Sequence, residues 1–310
     1  MTDHRRHTLE LMAGALILSF APICVKLVHS GPTVTAFYRM LFGGLMLLAG
    51  AAAARQRLWR GPGPALLAVA AGLAFAVDLA VWHRSIRLVG PGLATLLGNF
   101  QVFLVAAYGT LVLKERLRPR HLAAIVMGLG GIGLIVGPRW QAVSDDYRWG
   151  VILGLITACC YAAYLMILRA AQAHPRALTP LASLSVVSLS SAMFLGAGGW
   201  LQGERFAIPD GTTWSGLLIY ALLGQVLAWV VIARALPKVT ATLAGLILLL
   251  QPLLSFLWDV LFFSRPTGPL EWLGLGVALA GIYLGAAPRR QSADAGASKP
   301  PADATADRTA

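Results

Sequence analysis

Apolar residues run along this chain in blocks of about twenty, separated by short polar or Gly- and Pro-marked joints. Such blocks match the ~20 residues an α-helix needs to cross ~30 Å of hydrocarbon. A window of about 19 residues predicts ten spans, at 8–28, 32–54, 64–87, 91–113, 119–137, 149–170, 178–201, 213–235, 240–263 and 269–287. The joints include HSGP, RLWRGPGP and RPTGP, turn-forming stretches too short to hold a soluble domain. The first block is full length, follows Arg5 and Arg6 and lacks a small-x-small cleavage site, so it is read as a span and not a cleaved leader.

Composition agrees with that pattern: 57% of the 310 residues are hydrophobic and 12% charged, too apolar for a soluble domain of this length. The formal net charge of +12 invites a nucleic-acid reading, but the positions of the charges point to orientation in a bilayer instead. With the N-terminus in the cytoplasm, 17 of the 25 Lys and Arg fall on cytoplasmic segments, seven on the opposite side, and Arg39 inside a span. The positive-inside rule therefore places residues 1–7 and the polar tail 289–310, expected to be disordered, both in the cytoplasm. No nucleic-acid partner is expected. Cys24, Cys159 and Cys160 all lie within spans, where they act as small apolar residues.

Residue i set against residue i+150 gives 18 identities in 69 ungapped positions, from Ala71/Ala221 to Arg139/Arg289. They include Arg84/Arg234, Gln101/Gln251, Pro119/Pro269 and Pro138/Pro288, which apolar composition alone does not readily align. The offset pairs spans three, four and five with eight, nine and ten, so the unit is five helices. An odd unit re-enters the membrane from the opposite side. The expected fold is an all-α integral membrane protein of ten transmembrane helices in two five-helix inverted repeats, 8–139 and 149–288. Two related packings of that kind suit alternating access to a central cavity.

The residues that carry a family resemblance are AFYR in the second span, DLAVWHRSIRLVGPGLATLLGNFQVFLVAAYGTLVLKERL through the third and fourth, QVLAWVVIARALPKVTATLAGLILLLQPLLSFLWDVLF through the eighth and ninth, and HLAAIVMGLGGIGLIV. Over nearly the whole chain they resemble the drug/metabolite transporter superfamily, in its ten-helix EamA-type branch, and within it look most similar to the YddG-type exporters of aromatic amino acids. The resemblance implies export from the cytoplasm through a cavity lined by the third, fourth, eighth and ninth helices. The two halves depart from each other: Val102 stands opposite Pro252, and Glu115 opposite Arg265.

A helical step puts Phe75, Asp78, Trp82 and Ser85 on one face of the third span. An ionised Asp near mid-membrane costs at least ~2.5 kcal/mol on insertion scales, so Asp78 should face the bundle. Counting rise per residue, Arg39 lies at a similar depth, and Asp78 is either a cation or proton site or half of a structural ion pair with Arg39. His83 is expected at the outer mouth, as a proton switch or an interfacial residue, with Arg84 and Arg87 beside it as carboxylate attractors or interfacial anchors. Thr95 and Asn99 on the fourth span, and Gln225 and Trp229 on the eighth, share helix faces as substrate contacts or as interhelical glue, and repeat-related Gln101 and Gln251 carry the same two readings, leaning toward glue. Trp82, Trp229 and Tyr164 are candidate aromatic walls.

GLGGIG, with Gly128, Gly130 and Gly133, matches a dinucleotide fingerprint literally but follows no strand, so it reads as close helix packing, with Gly274, Gly276 and Gly281 doing the same in the tenth span. Pro22 reads first as a kink in the first helix and second as a hinge. Phosphate loops, zinc-ligand spacings and nucleophile elbows are absent from the sequence, so neither an enzyme nor a cofactor or metal is expected. The sequence thus leads to an exporter of small amphipathic metabolites, aromatic and other neutral amino acids first, compatible with a monomer in a bacterial inner membrane. An organic-cation exporter with Asp78 as counter-charge, and a non-transporting receptor or structural membrane protein, are the alternatives.

Overall fold

The computed structural model describes residues 3–111, 119–140, 143–235, 238–239 and 247–286; Glu115 and the tail 289–310 lie outside them. Among the described residues there are helices and no strands. Six helical stretches are long and apolar enough to cross a membrane. Four shorter apolar helices, Pro91–Val105, Leu122–Val136, Leu250–Phe263 and Pro269–Leu284, fall within the remaining predicted spans.

In chain order the helices are α1 (Asp3–Ser19), α2 (Ala21–Leu27), α3 (Pro32–Ala53), α4 (Pro62–Val89), α5 (Pro91–Gly98), α6 (Gln101–Leu111), α7 (Pro119–Val136), α8 (Asp145–Ala173), α9 (Pro180–Leu201), α10 (Gly211–Ala221), α11 (Ala228–Ala235), α12 (Leu250–Phe263) and α13 (Pro269–Ala286). Six of them open on proline, whose fixed φ and missing N–H suit the first helical turn. The Ser144 hydroxyl caps α8 by accepting from Tyr147 N at 3.3 Å, and the Asp210 carboxylate caps α10 by accepting from Thr213 N at 2.7 Å.

Among the described residues, four of the predicted spans are not continuous α-helix. The first breaks at Phe20, between α1 and α2, with Pro22 in the opening turn of α2. The fourth, expected to run unbroken over 91–113, turns at Asn99 and Phe100, where backbone bonds shorten to three-residue steps such as Phe100 N to Leu97 O, 3.0 Å. A turn also falls at Leu249, 150 residues after Asn99 and two before Gln251. The eighth span, expected as plain α-helix over 213–235, contains a π-helical segment, Leu222–Leu227, that frees carbonyls for other partners.

α4 packs along α8 and α9, α3 along α9, and α1 against α11 and α12, while α12 also meets α5. α7 and α13 form a close pair at glycines: a Cβ added at Gly131 would stand 2.6 Å from Gly274 O, and one at Gly281 would stand 2.6 Å from Gly128 N. Gly130, Gly133 and Gly276 take no part in that packing, since a Cβ at any of them would meet nothing within 4 Å. On the other side of α7, Leu122, Val126 and Leu129 are 59%, 63% and 56% exposed at helical spacing, a surface suited to lipid.

Candidate functional site

Where the turns at Asn99 and Leu249 approach α4 and α8, the bundle leaves a cavity of about 310 Å³. That volume is at the small end of the ~300–1,000 Å³ typical of small-molecule sites. Asp78, Trp82, Thr95, Asn99, Trp229 and Gln251 from the sequence-based candidates line it, as do Arg39 and Gln101. Phe75, Thr157 and Tyr161 complete a wall that is mainly apolar and aromatic. Thr157 and Tyr161 carried a signal in the sequence, polar atoms four residues apart in an apolar helix, but that spacing is too common in membrane helices to single them out.

Local structure explains much of the lining. Thr95 Oγ1 donates to Pro91 O at 2.7 Å and Asn99 Nδ2 to Thr95 O at 2.8 Å, so both side chains satisfy their donors on their own helix. The turn after α5 then carries Gln101 round to the same cavity. Gln251 follows the turn at Leu249 in the same way.

Arg39 and Asp78 do not form the ion pair considered from their depth. Arg39 Nη1 donates to Tyr220 Oη at 2.7 Å and Nη2 to Gly224 O at 3.2 Å, a carbonyl of the π-helical segment, with the guanidinium 4.8 Å over the Tyr220 ring. The π segment and Tyr220 draw Arg39 away from Asp78. Asp78 is 4% exposed, and its Oδ1 has no hydrogen-bond partner. Arg39 Nε and Thr157 Oγ1 are likewise buried and without partners. Buried polar groups are nearly always paired in folded proteins, so three unpartnered atoms on residues of one cavity set these side chains apart.

His83 is not at a mouth. It is fully buried, with Nδ1 2.7 Å from Leu79 O and Nε2 3.1 Å from Tyr220 Oη, and its ring stands edge-on behind Trp82 at 5.4 Å. Tyr220 from α10 and Trp82 from its own helix enclose the ring, so His83 stays inside the bundle although α4 ends only two residues past the predicted span. Tyr164 and Gln225 also leave the candidate site. Tyr164 is buried by stacking on Phe75 at 4.4 Å, behind the wall. Gln225 Nε2 donates to Ser188 Oγ at 3.0 Å and its side chain fills the space beside Gly43, joining helices instead of lining the cavity. Arg84 bonds Thr33 at 2.7 Å and also Gln202 and Glu204, while Arg87 bonds Val28 O at 2.8 Å and Ser30 O at 3.0 Å, so both hold loops together.

The end of the bundle where α4 meets α5 is tied by Asp259, which is 1% exposed. Its Oδ2 accepts from Gly92 N and from Arg265 Nη1, both at 3.3 Å, and its Oδ1 stands 3.7 Å from Lys26 Nζ. Gly90, at φ +89°, gives the carboxylate room: a Cβ there would come within 2.3 Å of Asp259 Oδ2. Arg265 also donates to Val89 O at 2.9 Å. Four segments that border this end are thereby joined through one carboxylate. None of these contacts was legible in the sequence, where Asp259 pairs with Gly109 across the repeat and has no acidic counterpart.

The chain matches the EamA-like transporter family over residues 8–137 and again over 148–286. It is 27% identical over 268 residues to the uncharacterized transporter YwfM of Bacillus subtilis, covering 84% of this chain and 86% of that one. An uncharacterized transporter of Synechocystis is 23% identical over 300 residues, covering 90% and 89%. A solved crystal structure superposes with a TM-score of 0.63 at 21% identity, over 92% of this chain and 96% of the other, which is a likeness of fold.

Proposed function

The chain belongs to the EamA-like transporter family, and from that premise we propose that it exports small amphipathic metabolites, aromatic and other neutral amino acids foremost, by alternating access. That it is a multi-pass membrane transporter follows from the family. The finer reading is supported chiefly by one observation, the cavity of about 310 Å³ in which Phe75, Trp82, Tyr161 and Trp229 provide aromatic surface beside the polar groups of Asp78, Thr95 and Asn99. Its size suits a single small metabolite, and its mixed lining suits a molecule with one apolar and one polar end. Export from the cytoplasm follows the resemblance to the aromatic amino acid exporters, and the positive-inside distribution of Lys and Arg supports termini on the cytoplasmic side of a bacterial inner membrane. The two family matches, of similar length, support a chain built from two repeats, and their inversion follows from the odd helix count of each.

A second reading, export of an organic cation, is favoured by the unpartnered carboxylate of Asp78 in the cavity. Counterflow in proteoliposomes with labelled Phe, Trp, Thr, Leu and a quaternary ammonium, with and without a pH gradient, separates the two. Saturable exchange of the amino acids supports the first reading, and exchange of the quaternary cation alone the second. Stimulation by a pH gradient identifies proton exchange as the driving force. Properly inserted protein that moves none of the amino acids defeats the assignment.

A further inference from the structure

Two side chains of opposite formal charge, Asp78 on α4 and Arg39 on α3, line one cavity without bonding each other. Asp78 keeps its Oδ1 without a partner, while Arg39 uses two of its five N–H groups on Tyr220 and Gly224 and keeps Nε unpartnered. Both are 4% exposed, so neither is an ordinary solvated surface charge. The anchoring of Arg39 by Tyr220 and the π-helical carbonyl holds its guanidinium in a fixed orientation with donors left over.

We propose that Asp78 and Arg39 form a divided zwitterion site, Asp78 taking the α-ammonium group of an amino acid and Arg39, through Nε–H and an unused Nη–H, taking its α-carboxylate. The proposal rests on the transport reading above and deepens it by naming the recognised group. A lone organic cation in this cavity meets Arg39 as a like charge, and a lone organic acid meets Asp78 as one. A zwitterion satisfies both. Its side chain then lies against Phe75, Trp82, Tyr161 and Trp229, and Thr157 Oγ1 offers a further hydrogen bond.

The test is counterflow of labelled phenylalanine in proteoliposomes, with unlabelled phenylalanine, phenethylamine and 3-phenylpropionate as competitors. Unmutated protein should be inhibited by phenylalanine at a concentration about ten-fold or more below that needed of either analogue, since each analogue leaves one charged group of the site unpaired. Asp78→Asn should raise the half-saturating phenylalanine concentration about ten-fold or more and leave competition by 3-phenylpropionate unweakened, with Asp78→Glu recovering part of the loss. The analogue arm uses unmutated protein and does not depend on a variant folding. Phenethylamine competing as well as phenylalanine overturns the proposal in favour of a cation site, as does an Asp78→Asn variant whose phenylalanine saturation is unchanged. Unmutated protein with no saturable phenylalanine flux overturns the amino-acid reading itself, a result distinct from either of these.

Discussion

Tyr220 joins the buried polar groups beside the cavity, because its hydroxyl serves both Arg39 and His83, on α3 and α4. Removing it leaves a buried guanidinium and a buried imidazole each short of a partner. Tyr220→Phe should therefore lower stability by about 1–3 kcal/mol, seen as a fall in the apparent melting temperature in detergent, although the ring and its packing remain. At the surface the balance is different. Asp210 caps α10 and stands 2.9 Å from His29 Nδ1, and these bonds, the one to His29 foremost, hold its carboxyl at about 2, below its ordinary 3.8. A carboxyl depressed on folding stabilises the fold above its unfolded value and loses that contribution as pH falls through its folded value. The loss belongs between 3.8 and about 2, and Asp210→Asn should remove this part of the acid dependence of unfolding, a small effect because the pair is exposed. Individual side chains were the least legible level: Asp78, Trp82, Thr95, Asn99, Trp229 and Gln251 were singled out as polar or aromatic groups in apolar helices, and all six line the cavity. Tyr164, Gln225 and His83 met the same criterion and do not. Which way a side chain turns depends on the neighbouring helix.

Among the elements, the α7 and α13 pair separates glycines that matter from those that do not. Gly131→Ala places a Cβ 2.5 Å from Ala278 N, a backbone atom that cannot move aside, so it should destabilise by about 1–3 kcal/mol. Gly130→Ala meets nothing and should be neutral or slightly stabilising, and thermal unfolding of the two variants side by side checks the contrast. The sequence singled out Gly130 and not Gly131, because spacing gives a helix face only after its neighbour is known. The tie at Asp259 acts at the same scale, joining α2, α5 and the segment after α12. Asp259→Asn weakens two charged contacts at once. A cysteine placed at Thr95, in a protein with the native cysteines replaced, should then react with a membrane-impermeant maleimide added on the Asp259 side, whereas the same cysteine behind an intact Asp259 should be protected. Equal protection in both would make the tie a structural fastening and not a gate.

For the molecule as a whole, the reading is a two-repeat bundle with both termini in the cytoplasm. A C-terminal fluorescent-protein fusion should accordingly be bright and a C-terminal alkaline phosphatase fusion inactive; the reverse result overturns the cytoplasmic placement of the C-terminus. The all-helical membrane architecture and, among the described residues, the places where spans begin were set by the sequence alone, the predicted start at 240 lying outside them, because the bilayer demands apolar length and internally bonded backbone, and both are local properties. The 150-residue echo likewise lay in the sequence, with Gln101 and Gln251 each just beyond a helix interruption. Tertiary structure alone decided that Arg39 bonds Tyr220 and Gly224 in place of Asp78, and that Asp259 meets Gly92, Arg265 and Lys26. The reason is physical: a buried charge takes the partner that packing brings within about 3 Å, and partners 181, 185 and 167 residues apart in the chain are brought there only by the fold.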